Sequence, residues 1–558
     1  MPNLIHIQNT NENATLMIKE ALQRIKENQE NIILFEKSTY HFYREGTHAG
    51  FFCPSNNSNG IKHVVFPLFH LSNLTFDGNG SVFVFHDRLF PFILQHCNSV
   101  QFLNFTIDFS FPRYCMGKVL ACGKNELSIS ISKEDFLFEV TKSGNLVFSV
   151  GDETINTHDK KLFVNNEERT IPVAYWVVGE SDADTENMPA PVLYMDAFDA
   201  GGSVVTLRFR NNSPHISYQL GETLIISNDE DRENDLFFLE SCDKVDFYNL
   251  HILRGAGMGI LAQMCSNITA DTILFQPEPD RKDSIPITAD AFHFINCSGL
   301  LEIRNSVVKN ALDDAINIHG VYTKVITVLP NNQVEAIFCH KEQYGWNPYL
   351  PGDIISITNG ETGCETGTAT VLSCVLQENL SNLSLTLKAD YGFLIKPGDL
   401  IENPNRMPEV ILENNLIENC PHIRLSSSQK MLIRNNTLIN LYDGIYISDL
   451  MEFWFESGRV RDVCIEGNRI IATLPRGYAI TVRRERGEKS DLYHKNIRIL
   501  NNRFDLLTKK VLFAEYTDGL SVLGNTFVGG LDKESIHIRN CLQVTGRDRG
   551  SDTLIFPS

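Results

Sequence analysis

The chain is predicted to be all-β: a right-handed parallel β-helix with two inserted small β-barrel domains and an N-terminal capping helix. Three observations point there: a short strand phrase that recurs along the chain, a spacing between copies near one value, and two long interruptions rich in alternating strands. The phrase alternates apolar with polar positions and ends on Asn, Gly or Thr. It reads VQFLN to Asn104, VDFYN to Asn249, ITADT to Thr272, LEIRN to Asn305, VILEN to Asn414, MLIRN to Asn435, VCIEG to Gly467, IRILN to Asn501 and LSVLG to Gly524. Repeats are sought first because a fixed period decides the whole architecture.

Several copies stand close to one period, 23 residues from Asn249 to Thr272, 21 from Asn414 to Asn435 and 23 from Asn501 to Gly524. Short strands joined by Asn/Gly turns at that period suit a coiled parallel sheet, in which each turn buries its apolar side chains on the next. A leucine-rich horseshoe shares the period but needs recurrent leucines and helical returns, which this sequence lacks. Spacings of 32 to 34 elsewhere imply turns with a loop of roughly ten extra residues, and loops on a rigid scaffold often carry function. Cys97, Cys242, Cys265 and Cys297 each precede the phrase's last residue by seven or eight positions, which predicts a stack of small side chains inside the coil and not disulfides.

The chain divides accordingly. Leu16, Ile18, Ala21, Leu22 and Ile25 fit a helical stripe following Thr15, which predicts a helix closing the open end of the coil. Residues 1–112 hold that cap and the first turns, 231–320 the turns with the acidic motifs below, and 404–558 the last turns. Between them lie gaps of 145 residues (Asn104 to Asn249) and 109 residues (Asn305 to Asn414). Segments such as LSISIS at 127–132, VTLRFR at 205–210 and LSLTL at 383–387 alternate strictly, and Pro-Gly-Asp occurs twice, at 351–353 and 397–399. Strict alternation marks antiparallel strands, so 113–230 and 321–403 are read as the inserted domains.

Charge narrows the partners. With 49 Lys+Arg against 69 Asp+Glu the net charge is −20, and no basic run interrupts it. Nucleic acid and anionic membrane surfaces need clustered Lys and Arg and are therefore not expected partners; neutral sugars meet no such penalty. No apolar run reaches spanning length, and MPNLIHIQNTNENA lacks a leader's basic and apolar regions. The protein is expected in the cytoplasm, or in the periplasm or outside the cell if a leader has been removed. Thirteen cysteines without a C-x-x-C pair predict neither a metal site nor a disulfide framework. Oligomeric state is not legible, a homo-oligomer included.

The chemistry is expected where second strands follow the phrases. TADAFHF (288–294), LDDAINI (312–318) and LYDGIYI (441–447) align on their Ala or Gly. Asp290, Asp314 and Asp443 then form one column and His293, Asn317 and Tyr446 another, with the second column pointing out of the coil because it alternates with Phe292, Ile316 and Ile445. Asp290 and Asp314 are 24 positions apart, one turn, and rungs of a parallel sheet stand about 4.8 Å apart. With Asp313 added, three carboxyls share a small patch where repulsion keeps one protonated. A protonated carboxylic acid beside ionised ones is the apparatus of glycosidic cleavage. An Asp-Asp pair on a β-turn is by itself usually a solvated corner; the stacked Asp290 shifts the balance toward catalysis. Oxygen-rich clusters also hold Ca²⁺, but no calcium-loop spacing is present.

Candidate sugar contacts follow from the same alignment: His293, Asn317, His319 and Tyr446 beside the carboxyls, Arg424 in PHIRL, Arg254 before GMGILA, and Trp454 with Glu456 in MEFWFESG. Each has a plainer reading. The histidines could be ordinary hydrogen-bonded residues, the arginines could cover apolar side chains with their stems, and Phe453, Trp454 and Phe455 could pack an insert onto the coil. Trp346 is a weaker candidate.

At these residues the chain resembles glycoside hydrolase family 110, bacterial α-1,3-galactosidases acting on blood-group B type glycans. TADAFHF followed by LDDAINIHG looks like that family's active-site signature, LMEFWFESGRVRDV is also similar, and the likeness spans about 60 to 540. The resemblance implies hydrolysis of terminal α-1,3-linked galactose, from branched or linear glycans, by an exo-acting inverting enzyme without metal or organic cofactor. It places Asp313 as general acid, with Asp290 and Asp314 jointly activating water, in a layout similar to the polygalacturonases. Three rivals remain: a polygalacturonase-like hydrolase, for which the Gly-His-Gly and Arg-Ile-Lys segments are missing; a calcium-dependent lyase; and a non-catalytic glycan-binding β-helix.

Overall fold

The computed structural model describes residues 2–9, 13–112, 114–123, 125–150, 153–156, 161–166, 171–174, 194–209, 220–227, 234–277, 285–389, 395–472, 477–484 and 492–547. The expected boundary at 230/231 lies outside them.

A parallel coil organises the molecule. One sheet of 20 strands carries the repeat phrases, and a second of 13 strands runs along another face. Register is continuous: Val245, Phe247 and Leu250 pair with Ile268, Ala270 and Ile273 on the next turn. All nine phrase-ending residues have positive φ, from +50° at Asn305 to +67° at Gly524. Each is where the chain bends within the 20-stranded sheet, in the left-handed region that Gly and Asn enter at little cost and other residues avoid. The turn geometry therefore explains the repeat's terminal letter. Thr272 is the β-branched exception at φ +60°, its hydroxyl donating to Asp271 Oδ1 at 2.9 Å.

Inside the coil, aromatic and aliphatic side chains of successive turns make one continuous core. The cysteine stack is present: the Cys97 amide donates to Cys242 Sγ at 3.4 Å and the Cys242 amide to Cys265 Sγ at 3.3 Å, and all thirteen cysteines are free thiols. An asparagine ladder occupies the residue after the turn. Each Nδ2 donates to the Oδ1 of the next, Asn415 to Asn436 to Asn468 to Asn502 to Asn525, at 2.9 to 3.1 Å. Asn468→Ala orphans several buried groups at once and is expected to cost about 3 kcal/mol or more. An unchanged urea midpoint would show that the ladder does not bear on stability.

The helix spans Ala14–Leu22 with Asn13 as its N-cap, so it begins one residue ahead of Thr15 and not after it. Ile18 and Ala21 are buried as expected, whereas Leu16 is 44% exposed and leaves the stripe. Strands Thr323–Leu329 through Leu400–Glu402 close a six-stranded barrel. The earlier insertion shows a seven-stranded antiparallel sheet with a separate three-stranded one, and no closure among the described residues. Barrel side chains Tyr349, Trp346 and Phe338 share a core with Leu261, Ile295 and Phe238 on the outer face of the 13-stranded sheet. Among the described residues no helix is long and apolar enough to cross a membrane.

Candidate active site

Four strands of the 13-stranded sheet build the site: Ile260–Gln263, Phe292–Ile295, Ile316–Val321 and Ile423–Leu425, all parallel. His293 pairs with Asn317, Asn317 with Arg424, and Arg424 with Tyr446, so the predicted outward column exists. The rung at Arg424 intervenes before Tyr446, and by the same register Asp443 stands two rungs beyond Asp314 rather than beside it. Asp290 and Asp314 precede these strands on adjacent turns, tied by a hydrogen bond from the Ala291 amide to the Asp314 carbonyl at 3.1 Å. Asp313 Oδ1 accepts from the Asp314 amide at 3.1 Å, which fixes the pair's local geometry.

Pointing out of the coil does not mean exposure here. Asp290, Asp313 and Asp314 are 4%, 9% and 5% exposed, because other segments cover this face. Gly320 and Val321 pair antiparallel with Ser457 and Glu456, and a Cβ on Gly320 would lie 2.3 Å from Met407 Cε and 2.5 Å from Ser457 Oγ. That close approach delivers Glu456 to the site. A second cover, residues 53–59, was not singled out in the sequence: Asn56 Nδ2 donates to Glu456 Oε1 at 2.9 Å and Asn57 Nδ2 to Asp235 Oδ1 at 2.8 Å. Its run CPSNNSN was the available signal, since adjacent asparagines suit a turn that cross-links neighbours.

The charges are arranged asymmetrically. Burial, then the Asp290 carboxylate, pushes the Asp314 carboxyl well above its ordinary range, against the pull of Arg424, whose Nε lies 3.5 Å from Asp314 Oδ2. The guanidinium also stacks 4.8 Å from the Tyr446 ring centre. Burial would raise Glu456, but the neighbouring His319 ring, then Arg424 and His293, pull it below the usual carboxylate value, helped by the hydrogen bond from Asn56. His319 is driven down to about 4 by burial, and His422, another residue missed in the sequence, to about 3 by burial and then Arg424. Asp314 Oδ1 and Asn317 Oδ1 are buried without a hydrogen-bond partner among the described residues, acceptors that a sugar hydroxyl would satisfy.

His293 Nδ1 lies 2.6 Å from Asp290 Oδ2, and its Nε2 lies 2.9 Å from His319 Nε2. His293, His319 and Glu456 bring donor atoms within 4.8 Å, a set that could hold an ion. The two imidazole nitrogens are however in direct hydrogen-bond contact, closer than the roughly 3.3 Å they would keep on a tetrahedral ion with bonds near 2.05 Å. The two imidazoles are thus read as joined by a hydrogen bond.

Three candidates make contacts with other protein side chains. Arg254 reaches Asp108 at 3.5 Å. Trp454 packs on the barrel, its ring 4.3 Å from that of His340 and its carbonyl accepting from Gln343 Nε2 at 2.6 Å, so the packing alternative describes its contacts. Trp346 is buried in the barrel core, 5.6 Å from Phe338.

With this geometry in hand, comparison with known proteins is informative. The family described as "Right handed beta helix region" matches residues 390–527. Alpha-1,3-galactosidase A of Shewanella woodyi is 25% identical over 93% of this chain and 84% of its own length. Alpha-1,3-galactosidase B of Phocaeicola vulgatus is 28% identical over 95% and 90%. The chain belongs to their family, glycoside hydrolase family 110. As a member of family 110 it is an enzyme, a glycoside hydrolase, and the covered carboxyl cluster lies in the region shared with those relatives. Among solved structures, the Yersinia enterocolitica family 28 exopolygalacturonase overlaps this family 110 chain with a TM-score of 0.42 at 10% identity, covering 99% of this chain and 79% of its own.

Proposed function

We propose that the enzyme is an exo-acting, inverting α-1,3-galactosidase that releases terminal galactose from blood-group B type or linear α-1,3-galactosyl glycans. The observation that carries this reading is the gathering of Asp290, Asp313 and Asp314 on neighbouring turns of a chain related along more than nine-tenths of its length to enzymes bearing that name. Asp313 gives its proton to the glycosidic oxygen as the C1–O bond breaks. Asp290 and Asp314 take a proton from water as its oxygen bonds to C1 from the opposite face, the requirement of inversion. Asn317 and Arg424, with Tyr446 beside them, bind the galactose hydroxyls.

A second assignment of the acid is favoured by one observation, the raised pKa of Asp314, since a general acid must hold its proton near neutral pH. In that version Asp314 protonates the leaving oxygen and Asp313 works with Asp290 on water.

A panel of oligosaccharides ending in α-1,3-, α-1,4- or α-1,6-linked galactose, with polygalacturonate alongside, tests the reading. Galactose is expected from the α-1,3 substrates. Turnover of polygalacturonate, or an unsaturated product abolished by chelator, would replace it with a pectinolytic or lyase activity.

A further inference from the structure

The imidazole chain beside Asp290 has only one consistent pattern of protons. The Gly320 carbonyl can only accept, so His319 Nδ1, 2.7 Å away, must carry a hydrogen. His319 is 1% exposed and neutral, which leaves a lone pair on its Nε2. His293 Nε2 faces that lone pair at 2.9 Å and must therefore bring the hydrogen. Glu456 does not supply it, because the oxygen it turns toward that nitrogen, Oε1 at 3.5 Å, is already the acceptor of the Asn56 Nδ2 hydrogen bond at 2.9 Å. His293 is thus a donor through Nε2, and its Nδ1 meets Asp290 Oδ2 at 2.6 Å, a contact that also requires one proton.

That last proton rests on the imidazole or on the carboxyl, and the surroundings decide. Facing the pair are Glu456 on the strand Glu456–Ser457, Asp313 and Asp314 on the next turn, neutral His319, and Arg424 one rung further. On the preceding rung the residue opposite His293 is the uncharged Leu261. Among these described residues the acids outnumber the Arg424 guanidinium, and an excess of buried negative charge favours a cation.

We propose that His293 and His319 are positioning residues which hold Asp290 as the ionised partner of a His293 imidazolium, so that Asp290, rather than Asp314, receives the proton of the attacking water. The proposal deepens the hydrolytic reading above and rests on it. In the step, water loses a proton to Asp290 as its oxygen bonds to C1, the C1–O glycosidic bond breaks, and the leaving oxygen takes the acid's proton. The imidazoles exchange no proton in the step; they set the charge and aim of the carboxylate, as outer partners do for other functional groups. The sequence expectation that both histidines bind sugar is thereby reassigned.

Two measurements test this on the full-length enzyme. Imidazole ¹⁵N NMR is expected to show one buried ring protonated on both nitrogens at neutral pH, lost in His293→Asn, and one neutral ring bearing hydrogen on Nδ1, lost in His319→Gln. A neutral His293 overturns the proposal whichever glycoside is cleaved, and so separates its failure from that of the hydrolytic reading. In kinetics, His319→Leu removes the acceptor that keeps His293 charged, whereas His319→Gln retains an acceptor oxygen. Losing the imidazolium raises the Asp290 pKa, so the acidic limb of kcat/KM should move upward by about one pH unit. With it kcat should fall about 10²-fold at nearly constant KM, and His319→Gln should restore most of both. A rise in KM with an unmoved pH profile would make the histidines sugar contacts. A stoichiometric metal ion in the purified enzyme would equally overturn the proposal.

Discussion

Asp313→Asn is expected to lower kcat on an α-1,3-linked galactobiose by about 10³-fold while an aryl α-galactoside with a strongly acidic phenol is still turned over at close to the parent rate. An acidic leaving group needs little protonation, so losing the general acid matters least there. Asp290→Asn should depress both substrates equally, since water must be activated whatever departs. The same pair of substrates separates the two assignments of the acid. If Asp314→Asn spares the aryl substrate and Asp313→Asn does not, the acid is Asp314, as its raised pKa favours. A folding control comes with the variant: a carboxyl pushed up by burial penalises the folded state once pH rises above its unfolded pKa. Asp314→Asn should therefore melt no lower than the parent at neutral pH, and a large fall in melting temperature would contradict the burial argument.

Arg424→Met should be the next most damaging change, lowering kcat/KM by about 10²- to 10³-fold. The guanidinium lies 3.5 Å from Asp314 Oδ2 and stacks over Tyr446, so its loss leaves the excess of buried carboxyl charge at the site less compensated. Arg424 lowers the Asp314 pKa, so its loss raises that pKa further. If Asp314 acts on water in its ionised form, the acidic limb of the rate profile moves to higher pH. If it is the acid, the alkaline limb moves instead. An unchanged profile would mean that Arg424 serves the sugar alone. Arg424→Lys keeps the charge but not the planar, stacked geometry, and should restore the profile more than the rate.

How much of this was legible in the sequence depends on whether a feature is local to a turn. The coil was readable because each turn must bury alternate side chains and bend at a left-handed residue; Asn104, Asn249, Asn305 and Asn501 announce that in their own positions. The outward column of His293, Asn317 and Tyr446 followed from alternation. What alternation could not show is the rung at 421–425 between Asn317 and Tyr446, which depends on where the chain re-enters the coil after the barrel.

Covering of the site was hidden for a related reason. Glu456 lies 400 positions from Asn56, yet the two are hydrogen-bonded, and the antiparallel pairing at Gly320 that brings them together has no periodic signature. Arg254 and Trp454 were drawn in because their types suit sugars, but their contacts are set by Asp108 and by the barrel residue His340. The stripe of the capping helix failed at Leu16 because, at about 3.6 residues per turn, a residue two positions before the buried Ile18 lies on the far side of the helix.

The central claim is that three carboxyls on neighbouring turns act across a water molecule and thereby invert the sugar. Proton NMR during hydrolysis of an α-1,3-galactoside tests it most directly, read before mutarotation mixes the anomers. The account predicts that β-galactose appears first and the α anomer grows in later. Galactose released first as the α anomer would mean a covalent, retaining route and would contradict it.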